Sequence, residues 1–430
     1  MPETKSFLGV MKEENLPSLR RDLEFYPVQL QGKQFVLIRD HLGLIQEGKA
    51  VEIPLYQFMV LLDGKTTIRD LQAALMRQGG GMLVSSDEVK SVIAHLDDSF
   101  LLESEKFRRA KEAVVAEFAS KKVRPSSHNG RAYPADPHEL RKTLDEILAL
   151  QPDPQRPQGR LVALVAPHID LSVGGRVYSK AYQILSGLSP KTVIILGTGH
   201  QMAEDLFALS EKGFETPLGV AECNRAWVER LRAAGGTAIA KNDFVHRTEH
   251  SIEFQLLFLQ HLLPKSSFTI VPILCGNLQI ALSEYKRQVY VEKAGPVLET
   301  LTDILERHGK ETLVVAGVDF SHVGPKFGHE MPAQYMKGQT EAHDRALLDS
   351  LTVPDADSFW KESGRVKDQY NVCGFAALAC LLEILPPCKG YLLDYEMWHE
   401  EATRSAVSYA AVAFTKQKQQ EAVRSRQQNQ

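Results

Sequence analysis

LVALVA, at residues 161–166, is the first of four short apolar runs that decide how most of this 430-residue chain folds. The others are TVIIL at 192–196, FTIVPIL at 268–274 and TLVVAG at 312–317. Uninterrupted runs of this length are typical of strands buried on both faces of a sheet. Helical patterns lie between and after them, at residues 177–186, 226–234, 252–263 and 374–385. We therefore predict an α/β domain whose central, mostly parallel sheet is flanked by helices.

The composition indicates a folded protein without a polyanionic partner. Hydrophobic residues make up 43% of the chain and charged residues 24%, a balance that allows a buried core. The formal net charge of −4 and the lack of a basic recognition helix argue against nucleic-acid binding. The sequence contains no uncharged apolar stretch of about 18 residues, so we predict no membrane-spanning helix. The N-terminus shows no apolar signal core, so we expect a cytoplasmic protein.

The first 105 residues differ in pattern from the rest and predict a small α+β domain. Strand patterns at 35–39 and 50–53 precede the helices, and a strand-like FLL at 100–102 follows them. The helical patterns lie at residues 54–62, 68–77 and 86–96. This order resembles a winged-helix domain, and more closely the small PqqD-like domains that bind leader peptides.

Three further segments complete the predicted organisation. A helix over 107–119 forms most of a linker at residues 106–127. The α/β domain is expected to span residues 128–415. The last residues, 416–430, are polar and predict a tail without a fold of its own.

Polar side chains follow three of the four apolar runs, where each predicted strand ends. His168 follows the first run, His200 follows the second, and Asp319 and His322 follow the fourth. Ligands of open α/β sheets bind in the crevice at the carboxyl ends of the strands. A single His in such a position is usually a capping or surface residue. Three polar clusters at one sheet edge instead predict a functional site.

The segment TEHSIE at 248–253 is read as the start of a helix. Acids in a first helical turn are favoured by the helix dipole, so Glu249 and Glu253 fit helix capping as well as function. An imidazolium at the same place would be disfavoured. A neutral His250 that faces the crevice therefore fits a proton donor or acceptor.

Cys373 carries the strongest chemical signal among the five cysteines. Their odd number and wide spacing do not resemble a disulfide framework, and most of them read as buried small residues. Cys373 directly precedes the helix predicted at 374–385, and a thiol at a helix N-terminus has a lowered pKa. It is therefore either a thiolate that binds metal or attacks an electrophile, or a buried residue like Cys380.

Six motifs occur in one order along the chain: A-P-H at 166–168, L-G-x-x-H at 196–200, E-H-S-I-E at 249–253, D-F-S-H at 319–322, C-G at 373–374 and S-A-V-S-Y-A-A at 405–411. Over residues 130–414 the chain resembles the Memo family, whose bacterial and archaeal members are called AmmeMemoRadiSam system protein B. That fold resembles the LigB-type class III extradiol dioxygenases, which use non-haem iron. The resemblance implies that His168, His200 and Cys373 are metal ligands.

Two departures from the family pattern lie in the predicted crevice. Ile169-Asp170-Leu171 replaces the Ala-Gly-Tyr that often follows the first His, and Gln201 replaces a second His after His200. Substrate or redox behaviour is therefore expected to differ from that of relatives.

The resemblance places a thiolate where the related dioxygenases have a carboxylate, and this change softens the metal site. We expect Fe(II), with Cu(I) or Zn(II) as alternatives, in a redox enzyme that acts on an unknown small substrate. His250, His322, Asp319 and Glu249 are the candidate catalytic residues. Asp319 is expected to fix a histidine tautomer beside the metal.

Two other functions remain open from the sequence. The first is a scaffold that captures peptides by strand addition through the front domain. The family resemblance implies radical SAM and AMMECR-family proteins as its partners. The second is a hydrolase with Cys373 as nucleophile, although no oxyanion-hole motif accompanies that residue.

Overall fold

In this computed structural model, the described residues are 15–30, 32–78, 83–151, 156–202, 204–264 and 268–416. The chain divides into two compact units, with the boundary between Ser120 and Lys121. Apart from Lys416, the predicted polar tail lies outside the described residues. In the part of the chain that is described, no helix combines the length and apolar character that a membrane span requires.

The front unit is a small α+β structure, as predicted. It contains β1 (Leu23–Leu30), β2 (Lys33–Asp40), β3 (Ala50–Glu52), α1 (Ile53–Val60), α2 (Ile68–Gln78), α3 (Ser86–Asp98) and α4 (Glu105–Ser120). The strands form an antiparallel sheet in the order β1-β2-β3. Strand β1 was not predicted, and it contains Pro27. An edge strand accepts proline, since one side of it needs no backbone donors.

The helix predicted over residues 107–119 is α4, and the front unit ends with it. A buried ion pair stabilises this unit, in which Arg20 Nη2 lies 2.7 Å from Asp40 Oδ1. The same guanidinium donates to the carbonyl of Phe100 and covers the ring of Phe107. The winged-helix and PqqD-like resemblance of this unit stays a prediction.

The larger unit is an α/β structure built on an eight-stranded sheet. Its first half contains β4 (Val123–Arg124), α5 (Pro137–Ala149), β5 (Arg160–Ala166), α6 (Leu171–Tyr182), β6 (Thr192–Thr198), β7 (Phe207–Leu209), β8 (Gly213–Thr216), β9 (Gly219–Ala221), α7 (Arg225–Gly235) and α8 (Glu253–Leu262). Its second half contains β10 (Thr269–Cys275), α9 (Leu278–Ala281), α10 (Arg287–His308), β11 (Thr312–Gly317), β12 (His322–Val323), α11 (Ala333–Thr352), α12 (Ala356–Val366), α13 (Phe375–Ile384), β13 (Lys389–Glu400) and β14 (Ser405–Lys416).

The sheet runs β12-β14-β5-β11-β6-β10-β7, and β13 pairs with β14. The four predicted strands, β5, β11, β6 and β10, are its parallel centre. The antiparallel hairpin of β13 and β14 extends the sheet on the β5 side and was not predicted. The predicted α/β class with a mostly parallel central sheet is confirmed.

Helices cover both faces of this sheet, which explains the continuous apolar runs. Ile194 and Leu196 of β6 belong to the core under α7, α10 and α13, whereas Val193 and Ile195 belong to the core under α5, α6 and α8. All four predicted helices are present. Helix α6 begins earlier than predicted, at Leu171, because Asp170 caps it by accepting from Ser172 N.

The central strands end level with one another. Gly317 of β11 pairs with Gly197 of β6 on one side and with Ala166 of β5 on the other. His168 and Asp319 each follow two residues after such a pair. This register brings the residues that follow three different strands to one place at the sheet edge.

Candidate metal centre

Three side chains converge at the carboxyl edge of the sheet. The ligand atoms of His168, His200 and Cys373 all lie within 4.8 Å of one another. Cys373 Sγ is 3.4 Å from His168 Nε2. A tetrahedral metal with bonds of about 2.3 Å to sulfur and about 2.0–2.1 Å to nitrogen separates those two atoms by about 3.6 Å. The residues present therefore fit one metal ion.

The hydrogen bonds of the two imidazole rings, His168 and His200, decide which ring nitrogen faces Cys373. His168 Nδ1 lies 2.9 Å from the carbonyl oxygen of Gly317. A carbonyl only accepts, so Nδ1 is the protonated atom and Nε2 presents its lone pair. His200 Nδ1 donates in the same way to Glu249 at 3.0 Å. Such outer partners orient metal-binding imidazoles.

Cys373 is held by a close approach between its loop and the end of β11. Gly374 N donates to Asp319 O at 3.1 Å, and a Cβ at Gly374 would lie 2.6 Å from that oxygen. The predicted lowering of the Cys373 pKa is wrong for the metal-free site. Burial raises that pKa and outweighs the hydrogen bond from His200, and α13 begins only at Phe375.

Burial and charge act in opposite directions on the two histidines. Burial, followed by the neighbouring His200, lowers the pKa of His168 to about 3. Burial also disfavours the charged form of His200, but the Glu249 carboxylate outweighs burial and raises the pKa of His200 well above its ordinary value. A metal ion would therefore displace a proton from His200, as is usual when metals bind imidazole.

The Glu249 carboxylate accepts hydrogen bonds both from His200 and from the turn formed by His250 and Ser251. Its Oε2 accepts from His200 N at 3.1 Å, and its Oε1 accepts from His250 N at 2.8 Å and Ser251 N at 2.9 Å. His200, Glu249 and His250 also form a group that could hold a metal ion. Both Glu249 oxygens are already engaged, however, and they lie at the Nδ1 edge of His200. The group with Cys373 is the better ligand set.

His250 lies directly over the ligand histidines. Its ring stacks on that of His200 at 4.9 Å and lies 5.1 Å from that of His168. Burial lowers the pKa of His250 well below its ordinary value, so the ring is neutral. The helix begins later than predicted, at Glu253, and His250 therefore belongs to the preceding turn.

Asp319 positions backbone instead of fixing a tautomer, so that part of the prediction is wrong. Its Oδ1 accepts from His168 N at 2.9 Å, and its Oδ2 lies 3.6 Å from His168 Nε2. Burial raises the pKa of Asp319 to about 6. His322 Nδ1 donates to the carbonyl of Phe320 at 3.0 Å, and burial lowers the pKa of His322 to about 4.

A second buried cluster beside the site was missed from the sequence. We call it the Glu253 cluster; its members are Arg124, Ser127, His128, Tyr133 and Glu253. Arg124 and Tyr133 both bond to the Glu253 carboxylate, and the backbone NH groups of Ser127 and His128 donate to it. Glu253 does lie in the first turn of α8, as predicted, but its carboxylate bonds to this cluster and no side-chain cap bond is formed at the helix N-terminus. The ring centroid of His128, which belongs to the cluster, lies 5.5 Å from that of His250.

The pairing within this cluster cannot be recognised in the sequence, because Arg124 and Glu253 are 129 positions apart. The S-S-H-N-G segment at 126–130 reads as an ordinary polar loop. The one local signal is that Glu253 opens an apolar helix, where an unpartnered carboxylate would be costly.

Comparison with known proteins gives a consistent result. The sequence profile of a family described as "Memo-like protein" matches residues 124–413. A MEMO1 family protein from Aquifex aeolicus is 30% identical over 397 residues, covering 92% of this chain and 100% of that protein. MEMO1 family proteins from Methanopyrus kandleri and Thermus thermophilus are 29% and 26% identical, covering 66% and 80% of this chain and 96% and 98% of their own lengths.

The Aquifex alignment covers so much of the chain that it extends into the front unit, which the family profile leaves out. Among solved structures, an uncharacterized protein from Escherichia coli K12 matches at 13% identity with a TM-score of 0.36, covering 59% of this chain and 99% of that chain. That score is too low to support an argument.

Proposed function

This chain belongs to the Memo-like family, and from that premise we propose that it is a redox enzyme with one metal ion bound by His168, His200 and Cys373. The observation that carries the proposal is the 3.4 Å separation of Cys373 Sγ and His168 Nε2. Donor atoms at that spacing, with both imidazole Nδ1 atoms engaged elsewhere, match what a metal requires. The substrate is proposed to be a small molecule.

We propose Fe(II) as the native metal. Two imidazoles and one thiolate also suit Cu(I) and Zn(II), since thiolate is a soft ligand and imidazole binds all three. Bound iron supplies one-electron redox chemistry and Lewis acidity. Three protein ligands leave further coordination positions open.

The chain's own residues supply proton acceptors beside that position. His250 is neutral because burial lowers its pKa, and as a neutral imidazole it can donate or accept a hydrogen bond to a bound substrate. His322 has its Nδ1 proton committed to Phe320 O, which leaves its Nε2 as an acceptor. Asp319, with a pKa of about 6, can take up or release a proton near neutral pH. Glu249 keeps His200 oriented.

The test is metal content after anaerobic purification and reconstitution with Fe(II). We expect about one equivalent in the wild type and less than about a tenth in Cys373→Ser and His168→Ala. Cys388→Ser and His261→Ala are matched controls, because these residues lie at other places in the unit and His261 bonds to Asp145. Equal iron in Cys373→Ser and Cys388→Ser would contradict the proposal.

The redox part needs its own measurement. We expect the iron-loaded protein to give an Fe(III) electron paramagnetic resonance signal after exposure to air, and to return to Fe(II) with dithionite. Reconstitution with Fe(II), Cu(I) and Zn(II) in competition identifies the preferred metal. Retention of zinc alone would contradict a redox role while leaving the metal site in place.

A second candidate function is a scaffold that binds a peptide or a partner enzyme. It is favoured by β1, an eight-residue strand at the edge of the front sheet that pairs only with β2 among the described residues. Such an edge accepts an added strand. A radical SAM protein or an AMMECR-family protein is the proposed partner.

Affinity measured between the full chain and each purified candidate separates the two functions. A scaffold predicts equal binding by wild type and Cys373→Ser and weaker binding by Tyr26→Asp, which places a charge on exposed β1. Absence of binding to both candidates would contradict it.

A further inference from the structure

Gln255 is a fully buried amide that no sequence motif singled out as functional. It lies in α8, one turn after Ser251. Its Nε2 donates to Pro167 O and to Ser251 O, each at 3.0 Å. The hydroxyl of Tyr182 bonds to its Oε1. All the strong hydrogen-bonding positions of the amide nitrogen are therefore used within the protein.

The orientation of this amide follows from its partners. Two carbonyl oxygens only accept, so the nitrogen must face them and the oxygen must face Tyr182. The phenol is then the donor. An amide fixed from three sides in this way has one rotamer, and it holds the separation of the two carbonyls it joins.

These carbonyls belong to the two segments that present the site. Pro167 directly precedes His168, and Ser251 directly follows Glu249-His250. Ser251 Oγ also donates to Thr198 O at 2.9 Å, two residues before His200. The amide thus links the backbone before His168 directly to Ser251, and the Ser251 hydroxyl links it onward to the backbone before His200.

The end of β11 is packed against the same amide. A Cβ at Gly317 would lie 2.6 Å from Gln255 Nε2 and 2.4 Å from Ser251 O. The carbonyl of Gly317 is also the acceptor for His168 Nδ1. A displacement of Gln255 would therefore move the residue that orients His168.

We infer that Gln255 is a positioning residue for the metal centre, which it serves by setting the distance between the His168 segment and the His200–His250 segments. This inference rests on the proposed metal site. Residues that orient metal ligands typically change metal affinity by about 10-fold to 100-fold when they are removed. A residue that only stabilises the fold would change unfolding without changing the site.

Gln260 offers a matched control on the same helix. Its Nε2 donates to Gly219 O at 3.0 Å, and the hydroxyl of Thr216 bonds to its Oε1. Its partners are also one hydroxyl and a carbonyl, but they belong to the β8–β9 hairpin, and Gln260 is half-buried where Gln255 is fully buried. Gln260→Met thus removes two bonds and Gln255→Met three, with the same change of side chain on the same helix.

The first readout is Co(II) bound to the full chain, measured by chelator competition and by its visible d–d bands. We expect Gln255→Met to bind Co(II) about 10-fold to 100-fold more weakly, with shifted bands. Gln260→Met should stay within about twofold of the wild type with unchanged bands. Equal behaviour of the two variants would overturn the inference.

The second readout needs no metal. In metal-free protein labelled at histidine, the imidazole signals of His168 and His250 should shift in Gln255→Met and stay in place in Gln260→Met. If the wild type binds no Co(II), the proposed function fails, and these shifts still decide the role of Gln255. If Gln255→Met does not fold, Tyr182→Phe, which removes only the bond to Oε1, carries the same comparison; unshifted signals in it would overturn the inference.

Discussion

Glu249 and Glu253 lie four positions apart, and both are buried. Their carboxylates nevertheless have different roles. Around Glu253, a cation, a phenol and backbone NH groups compensate the carboxylate inside the protein. Around Glu249, the carboxylate orients His200, whose other nitrogen joins His168 and Cys373 in a group that fits a metal. The first region is complete without a ligand. The second gathers donor atoms that only a ligand or proton would complete.

The difference teaches how a buried polar group can be assigned to stability or to function. A fully satisfied buried network rigidifies a fold. The group of His168, His200 and Cys373 instead includes an exposed residue, His200, so its donor atoms are accessible to a ligand. The two clusters also touch, through the rings of His128 and His250. Substitutions around Glu253 are therefore expected to change stability, and substitutions around Glu249 to change metal affinity.

The largest expected effect is on stability, from Arg124→Met. Arg124 donates to His246 O at 2.7 Å, to Glu249 O at 2.6 Å and to the Glu253 carboxylate. Its removal leaves a buried charge without compensation, which costs about 3–5 kcal/mol. Urea unfolding of the metal-free protein measures this loss.

Two variants serve as its controls. Arg230→Met breaks an exposed pair with Asp303 and should cost less than about 1 kcal/mol. Adding Glu253→Gln to Arg124→Met should recover part of the loss, because the buried charge is gone. A cost for Arg124→Met no larger than that for Arg230→Met would show that the Glu253 cluster does not stabilise the fold.

The next largest effect is a loss of stability at acid pH caused by His246, whose carbonyl accepts from Arg124. Burial lowers the pKa of His246 to about 4. The unfolded chain takes up this proton near pH 6.5, so stability is present above about pH 6.5 and is lost as pH falls toward about 4. The shift corresponds to about 3 kcal/mol.

His246→Gln keeps a donor toward Ala208 O but does not titrate. We therefore expect its free energy of unfolding to fall less than that of the wild type between pH 7 and pH 4.5. Urea unfolding at both values measures the difference. Parallel losses in the two proteins would show that His246 is not the source of the acid sensitivity.

The smallest effect is on metal affinity, from Glu249→Gln. The amide keeps one acceptor for His200 Nδ1 but loses the charge, and its NH2 faces backbone donors. Zn(II) or Co(II) affinity should fall by about 10-fold to 100-fold. Glu383→Gln, at a carboxylate that pairs with Arg287, should change it by less than about twofold. Unchanged affinity in Glu249→Gln would assign Glu249 to the turn alone.

Much of the fold was predictable, because burial on both faces of a sheet leaves a mark in consecutive residues. The runs that became β5, β6, β10 and β11 are the clearest case. The β13–β14 hairpin was missed, since its partly buried strand β13 lacks such a run. Strand β1 was also missed; it contains a proline and lacks a continuous apolar run.

The site divides in the same way. His168, His200 and Asp319 were predictable because each follows a recognisable strand, and parallel strands end together. The role of Asp319 and the pKa of Cys373 were predicted wrongly, since both depend on which atoms face which. Burial decides the pKa of Cys373 against the helix N-terminus.

From the order of its residues alone, this protein is determined to be an α/β chain with imidazoles placed after strands and a thiol placed before a helix. Apolar periodicity and motif spacing depend on residues that are close in sequence, so they can be recognised without a structure. Only the tertiary structure decided that Glu249 orients His200, that Gln255 joins Pro167 to Ser251, and that Glu253 pairs with Arg124. Hydrogen-bond partners and burial depend on distances between remote residues, and the packed fold alone sets those distances.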